Sequence, residues 1–266
     1  MAVAVGTEVY NADAPPVLAR GCEYSQGDLD HALHTRVAGL LRDDAGTRDL
    51  RSMMSELAST DFDPRALEAV LTPAITNLPA WRVGEALAEA YVVDHRQCEF
   101  PWPGGRDLKN PTSSPAGTDL VGFQQTGDST RFAFGEVKTS EQGAWPPSVV
   151  TGRHGLADQL RQLRDSSPVK SALVRYLGFH SITAAWRPRF LTAAKRFLSD
   201  PSDVSLFGVL IRDVQPKPQD LSGKATSLAT GCPGTTAIEL RALYLPTHTI
   251  ATLASAAERA SRVKDE

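Results

Sequence analysis

The chain has little cysteine and no long apolar run. Its three cysteines, Cys22, Cys98 and Cys232, lie far apart and form no C-x-x-C pair. Their number and spacing argue against a disulfide framework and a cysteine zinc site, and they fit a reducing compartment. No stretch reaches the roughly 18 apolar residues of a membrane span. The N-terminus lacks a basic segment followed by a long apolar one, so we expect no signal peptide and a cytoplasmic protein.

The composition is that of a folded globular protein with unevenly distributed charge. Of 266 residues, 41% are hydrophobic and 22% charged, with a net charge of −3. The segment 153–196 carries +7 and the remainder −10. A segregated basic segment is expected where phosphates dock, although a solvated pair of Arg-rich helices would give the same count. Its basic residues are Arg153, Arg161, Arg164, Lys170, Arg175, Arg187, Arg189, Lys195 and Arg196.

Apolar spacing predicts a helical first third and a mixed remainder. After an irregular or strand-like lead of 21 residues, helical spacing runs through about 28–42, 47–57, 64–77 and 81–94. We then expect, in order, a hairpin (118–124 and 131–138), helices at 155–165 and 188–199, two strands (203–212 and 237–245) joined by a polar loop, and a last helix at 247–263. The order predicts an α/β fold with a mainly helical N-terminal extension, residues 1–78, before a domain spanning 79–266.

The hairpin carries the candidate chemistry. Glu136 and Lys138 alternate onto one face of the second strand, and Asp119, at the start of the first, is expected opposite them. Two carboxylates and the Val137 carbonyl suit a hard divalent cation such as Mg²⁺, with Mn²⁺ as the alternative. A lysine beside such a cation can hold the attacking water and stabilise charge on a phosphoryl group. An ordinary ion pair between Lys138 and either acid is the competing interpretation.

These motifs resemble the PD-(D/E)XK phosphodiesterase superfamily. Asp119 matches its first acid, and Glu136-Val137-Lys138 matches its second motif, 17 residues further on. Thr118 stands where the family has proline. The resemblance covers roughly residues 80–245 and implies a restriction-endonuclease-like core, a mixed sheet flanked by helices, with catalytic Asp119, Glu136 and Lys138 and a cation held by Asp119, Glu136 and Val137.

The superfamily also implies an acid on the helix before the hairpin and phosphate contacts on the helix after it. Glu85 lies on the apolar stripe formed with Trp81, Ala88 and Val92, so it is either functional or paired with Arg82; Glu89 fits a solvent position. The candidate DNA-binding residues are Arg153, just before the later helix, and Gln159, Arg161 and Arg164 on it; the tyrosine of the superfamily's exonuclease branch is missing.

A narrower resemblance extends over three segments. Residues 81–89, 117–123 and 134–139 are similar to the HamA family, the nuclease subunits of the bacterial Hachiman antiphage defence system. That resemblance implies a Mg²⁺-dependent deoxyribonuclease with little sequence preference, restrained by a HamB-like helicase subunit. Two alternatives stay open: a catalytically silent nuclease-like module that binds DNA or a partner, and a site-specific restriction endonuclease.

Overall fold

A computed structural model describes residues 1–55, 64–71, 78–107 and 117–262. These residues form one seven-stranded sheet in the order β1-β2-β7-β6-β5-β4-β3. The strands are β1 Thr7–Asn11, β2 Val17–Glu23, β3 Cys98–Glu99, β4 Leu120–Thr126, β5 Ser129–Ser140, β6 Val204–Arg212 and β7 Ala237–Tyr244. The strands from β2 through β7 and β6 to β5 run parallel, and the strands at both edges are antiparallel, so the sheet is mixed.

Helices flank both faces of this sheet. Their bounds are α1 Gln26–Ala32, α2 Ala38–Leu41, α3 Asp44–Ser55, α4 Pro64–Leu71, α5 Ala80–Arg96, α6 Ser148–Thr151, α7 Leu156–Asp165, α8 Ser167–Ser181, α9 Arg187–Ser199, α10 Ser222–Ala229 and α11 Ile250–Arg262. A π-helical turn, Leu33–Val37, joins α1 to α2, and 3-10 turns lie at Gly104–Asp107 and Pro218–Asp220. None of the helices in the described ranges combines the length and hydropathy that crossing a membrane requires.

Two hydrophobic cores lie on opposite sides of the sheet. Helices α1, α5 and α11 pack on one face through residues such as Leu29, Leu87 and Leu253. Helices α7, α8, α9 and α10 cover the other face. Strand β6, buried along its whole length, is nearly all apolar, as expected for a strand covered on both faces.

Helix α5 approaches the sheet most closely at Gly84. A Cβ atom built at Gly84 would lie 2.1 Å from the Thr139 hydroxyl oxygen and 3.5 Å from Ile211. The Thr139 hydroxyl is itself buried without a hydrogen-bond partner. Glycine at position 84 therefore allows α5 to pack directly against β5. This contact fixes the distance between the sheet and the neighbouring residue, Glu85.

The predicted α/β fold with a mixed sheet and flanking helices is confirmed. The lead, for which the sequence allows an irregular or a strand-like structure, contains β1 and β2, and β2 pairs in parallel with β7. The sequence prediction does not include α8, and α10 lies in the predicted polar loop between β6 and β7. The predicted helix over 64–77 is seen as α4, and residues 72–77 lie outside the described ranges.

The close approach at Gly84 gives a stability prediction. Gly84→Ala should destabilise the protein by about 1–3 kcal/mol, because overpacking outweighs the gain in helix propensity. Thr139→Ala in the same chain should recover most of that loss by removing the oxygen that the new methyl meets. Urea unfolding followed by circular dichroism measures both.

Gly223→Ala is the matched control, because nothing lies within 4 Å of its added Cβ at the start of α10. It should be neutral or stabilising. Wild-type stability in Gly84→Ala would show that α5 is free to shift and that Gly84 does not fix its position.

Candidate active site at the open end of the hairpin

The site forms where β5 continues beyond β4. The last pair of the β4–β5 ladder is Leu120 with Gly135, so residues 136–140 of β5 pair only with β6. Asp119, just before β4, accepts a 2.7 Å hydrogen bond on Oδ2 from the Val137 amide, which has no strand partner on that side. The N–H and C=O of one strand residue point to the same side, so the Val137 carbonyl also faces this open edge.

Glu136 is the most buried acid of the group. Its side chain is 2% exposed, and its Oε2 atom is buried without a hydrogen-bond donor. The Lys138 ammonium lies 3.6 Å from that oxygen, which is an ion pair but too long for a hydrogen bond. The structure thus brings Asp119, Glu136, Val137 and Lys138 together, as the strand alternation predicted.

Burial and mutual repulsion raise the pKa of both hairpin acids. Desolvation is the largest cause for Glu136, followed by the charge of Asp119, and together they raise its pKa to about 8. Burial also raises the pKa of Asp119, although the Val137 amide and Lys138 oppose this. We assign the higher pKa to Glu136, because its Oε2 has no donor while Asp119 accepts one.

Glu85 approaches the group from α5. Glu85 and Asp119 line one cavity of about 370 Å³, whose lining, among the described residues, does not include Glu136 or Lys138. Burial and then the charge of Asp119 raise the pKa of Glu85 to about 8, while Arg82 and Lys138 lower it. Within the described ranges no salt bridge joins Glu85 to Arg82. The alternative that Glu85 only pairs with Arg82 is therefore weakened.

Glu89 lies at the candidate site, although the sequence predicts a solvent position for it. It lines the same cavity as Glu85, and burial raises its pKa to about 7. Its place four residues after Glu85, hence on the same helix face, was the available signal. Trp81, expected on the buried stripe, is instead exposed at 36%.

The hairpin offers a cation few protein ligands. Within the described part of the chain, no three His, Cys, Asp or Glu side chains group closely enough to hold a metal ion. What the hairpin offers is two carboxylates, one with an unpartnered buried oxygen, and a backbone carbonyl at the same edge. A hard cation bound there would satisfy Glu136 Oε2 and remove the repulsion between the acids.

The four predicted DNA-binding residues do not form one surface. Arg153 is exposed. Arg161 is 43% exposed, lies 3.7 Å from Asp158 and donates to the Ser227 hydroxyl. Gln159 has a buried Oε1 without a partner.

Arg164, which the sequence predicts to bind DNA, is instead engaged within the protein. It is only 8% exposed and donates to the Leu228 and Thr230 carbonyls at 2.6 and 3.0 Å, and its remaining donors face Asp165. Its guanidinium links α7 to the end of α10 through these bonds. It cannot also reach a phosphate, so the prediction that Arg164 binds DNA is wrong.

Much of the basic segment is likewise engaged within the protein. Lys170 is buried and donates to the Arg164 carbonyl. Arg189 pairs with Glu99, and Arg196 pairs with Asp203. Within the segment 153–196, all of which the structure describes, the exposed cations without an ion pair are Arg153, Arg175, Arg187 and Lys195.

Comparison with known proteins adds no relative: no protein-family model matches the chain, and a search of curated proteins finds no match.

The raised pKa of Glu136 predicts how stability changes with pH in EDTA. The folded protein keeps this proton up to about pH 8, whereas the unfolded chain loses it near the ordinary value of 4.5. The contribution is therefore complete below pH 4.5 and is lost as pH rises towards 8. Glu136→Gln, which cannot ionise, should gain stability relative to wild type from pH 5 to pH 8.5, as measured by thermal unfolding.

Glu141 is exposed and lies three residues beyond Lys138, so Glu141→Gln is the control. Its stability should change with pH as that of the wild type does. A constant difference between Glu136→Gln and wild type across this range would mean that Glu136 titrates normally.

Proposed function

We propose that the protein is a metal-dependent DNA nuclease whose active site is the open end of the hairpin. The observation that carries the proposal is the buried Glu136 with the half-buried Asp119 and Lys138 beside it, one Glu136 oxygen accepting no hydrogen bond. Buried carboxylates without compensating donors are costly to fold and are typical of functional sites. The Lys138 ammonium pairs with that oxygen from 3.6 Å, which is too long to supply the missing hydrogen bond.

The order of elements supports a PD-(D/E)XK core. Helix α5 precedes the antiparallel strands β3, β4 and β5, and helices α6 to α9 then lead to β6, which lies parallel to β5. Apart from the additional helices around α7, this order agrees with the helix, three-strand, helix, strand order that the resemblance implies over residues 80–245. Asp119 directly precedes β4 and Glu136 lies late in β5, and these positions support the match to the superfamily motif.

The residues divide the work of phosphodiester hydrolysis. Asp119, Glu136 and the Val137 carbonyl would hold Mg²⁺, which supplies charge stabilisation at the phosphoryl oxygens and makes water easier to deprotonate. The Lys138 ammonium orients the attacking water and faces the developing negative charge. Glu85, whose charge is coupled to Asp119 and Lys138, positions Lys138 and the water. Arg153, Arg161 and Gln159 are the remaining candidates for the DNA backbone.

The biological setting rests on the three segments similar to the HamA family. From them we propose that the nuclease acts in antiphage defence, cuts DNA with little sequence preference and is restrained by a helicase subunit. The catalytically silent alternative predicts DNA or partner binding with no cleavage under any condition, so the same assay separates it.

The decisive experiment incubates the protein with supercoiled plasmid and Mg²⁺, with EDTA as the control and a neighbouring helicase added or omitted. Wild type should nick the plasmid only with Mg²⁺. Glu136→Ala and Lys138→Ala should each slow cleavage about a hundredfold or more, the size expected when a charge-stabilising group is lost. Both should stay folded, because these groups add desolvation cost rather than packing.

Glu141→Ala and Lys224→Ala are the matched controls, since neither side chain belongs to the site, and both should cut at the wild-type rate. Glu85→Gln should slow cleavage while Glu89→Gln leaves more activity, because only Glu85 is coupled to Asp119 and Lys138. Wild-type cleavage by Glu136→Ala or Lys138→Ala would end the assignment.

A further inference from the structure

Helices α8 and α9 expose large apolar side chains on their outer face. Phe179 on α8 and Ile182 just after it are 68% and 62% exposed, and Leu191 and Leu198 on α9 are 54% and 81% exposed. Scattered surface leucines are ordinary, but four large apolar residues on two adjacent helices form a patch that water disfavours.

Part of this patch lies along a groove between the two helices. The groove holds about 470 Å³ and is lined by residues including Val174, Phe179, Ile182, Phe190 and Leu198. Gly178 lets the helices approach, since a Cβ there would lie 3.1 Å from the Phe190 ring. Leu191 and Leu198 are seven residues apart, two turns along one face of α9, which matches the apolar spacing of a docked helix.

The two helices that form the groove carry charged side chains of one sign only, and acids of other elements, Asp107 and Glu99, contact His180 and Arg189. From 166 to 199 the chain contains no Asp or Glu. Arg175 lines the groove and Lys195 lies three residues before Leu198, hence on the same side of α9. Both are exposed, and in the described part of the chain neither forms a salt bridge. The complement of this surface is an apolar stripe flanked by carboxylates.

The face is separate from the candidate active site. Phe190 and Phe197 of α9 pack inward on Phe132. Their ring centroids lie 5.7 and 5.8 Å, respectively, from the centroid of the Phe132 ring. Phe132 precedes Glu136 by four residues of β5, roughly 13 Å along the strand. A molecule on the outer face of α8 and α9 would therefore not cover Glu136.

We propose that the groove between α8 and α9 binds an acidic amphipathic helix of a partner protein. DNA would use the cations but gain nothing from Phe179 and Leu198, whose exposure calls for an apolar partner. An amphipathic helix buries these side chains and pairs its acids with Arg175 and Lys195. The inference goes beyond the nuclease proposal, because it requires no cleavage and no metal.

The test is fluorescence anisotropy in EDTA with a labelled synthetic peptide of about four helical turns, with leucines at i, i+4, i+7 and i+11 and glutamates elsewhere. Wild-type protein should bind it, with affinity falling as salt rises. Phe179→Ser with Leu198→Ser should weaken binding about tenfold or more, since both apolar anchors are lost. Arg175→Glu with Lys195→Glu should also weaken peptide binding. In this variant the affinity should fall less as the salt concentration rises.

Two controls isolate the groove. Arg48→Glu with Met53→Ser changes an exposed cation and an exposed apolar residue on α3 and should leave binding unchanged. A peptide of the same composition with its leucines spread around the helix should bind weakly.

Several results would overturn the proposal. The first is that the amphipathic peptide does not bind. The second is that a peptide with lysine in place of glutamate binds equally well, and the third is that short duplex DNA displaces the peptide. Sedimentation that shows self-association lost in Phe179→Ser with Leu198→Ser would assign the groove to a second copy of the chain instead. None of these results depends on whether the protein cleaves DNA.

Discussion

The overhang of β5 beyond β4 is the constraint on which the candidate site depends. Past Gly135 the edge of β5 has lost its neighbour, so the Val137 amide needs an acceptor, and Asp119 supplies it. That bond places one carboxylate beside a second, Glu136, which is already buried by the sheet. Two acids held together in this way repel each other and lose water, and the raised pKa of Glu136 is the result. The hairpin therefore keeps a proton, which the cation that we propose for this site would replace.

Packing on both faces of the sheet excludes water from the part of β5 that extends beyond β4 and holds it in place. On one face Gly84 lets α5 rest against Thr139, and this holds Glu85 near Asp119. On the other, Gly208, which pairs with Glu136, leaves room for Leu160 of α7. Each glycine allows a helix to lie close to the strands that carry the site. Desolvation of Glu136 and Glu85 is thus a consequence of helix packing as much as of their own sequence positions.

Local patterns predicted the hairpin well, because its geometry depends on few residues. Gly127 adopts a φ of 58° in the turn, and alternation beyond it fixes which residues face Asp119. Long-range contacts were beyond such patterns. Arg164 reads as a surface cation, yet its carbonyl partners come from residues 64 and 66 positions later. Strand β2 pairs with β7 more than 200 residues away, and nothing in its own seven residues indicates that neighbour. Glu89 could have been found from its spacing to Glu85.

Proton-linked binding of Mg²⁺ tests the central claim most directly. Since Glu136 keeps its proton up to about pH 8, a cation that takes its carboxylate must release that proton at neutral pH. Isothermal titration of Mg²⁺ at pH 7, repeated in two buffers of different ionisation enthalpy, measures the number released. We expect about one proton per Mg²⁺ bound at pH 7, fewer as pH rises above 8, and loss of binding in Asp119→Asn. Mg²⁺ binding without proton release, or equal binding by Asp119→Asn, would contradict a cation site built on the two hairpin carboxylates.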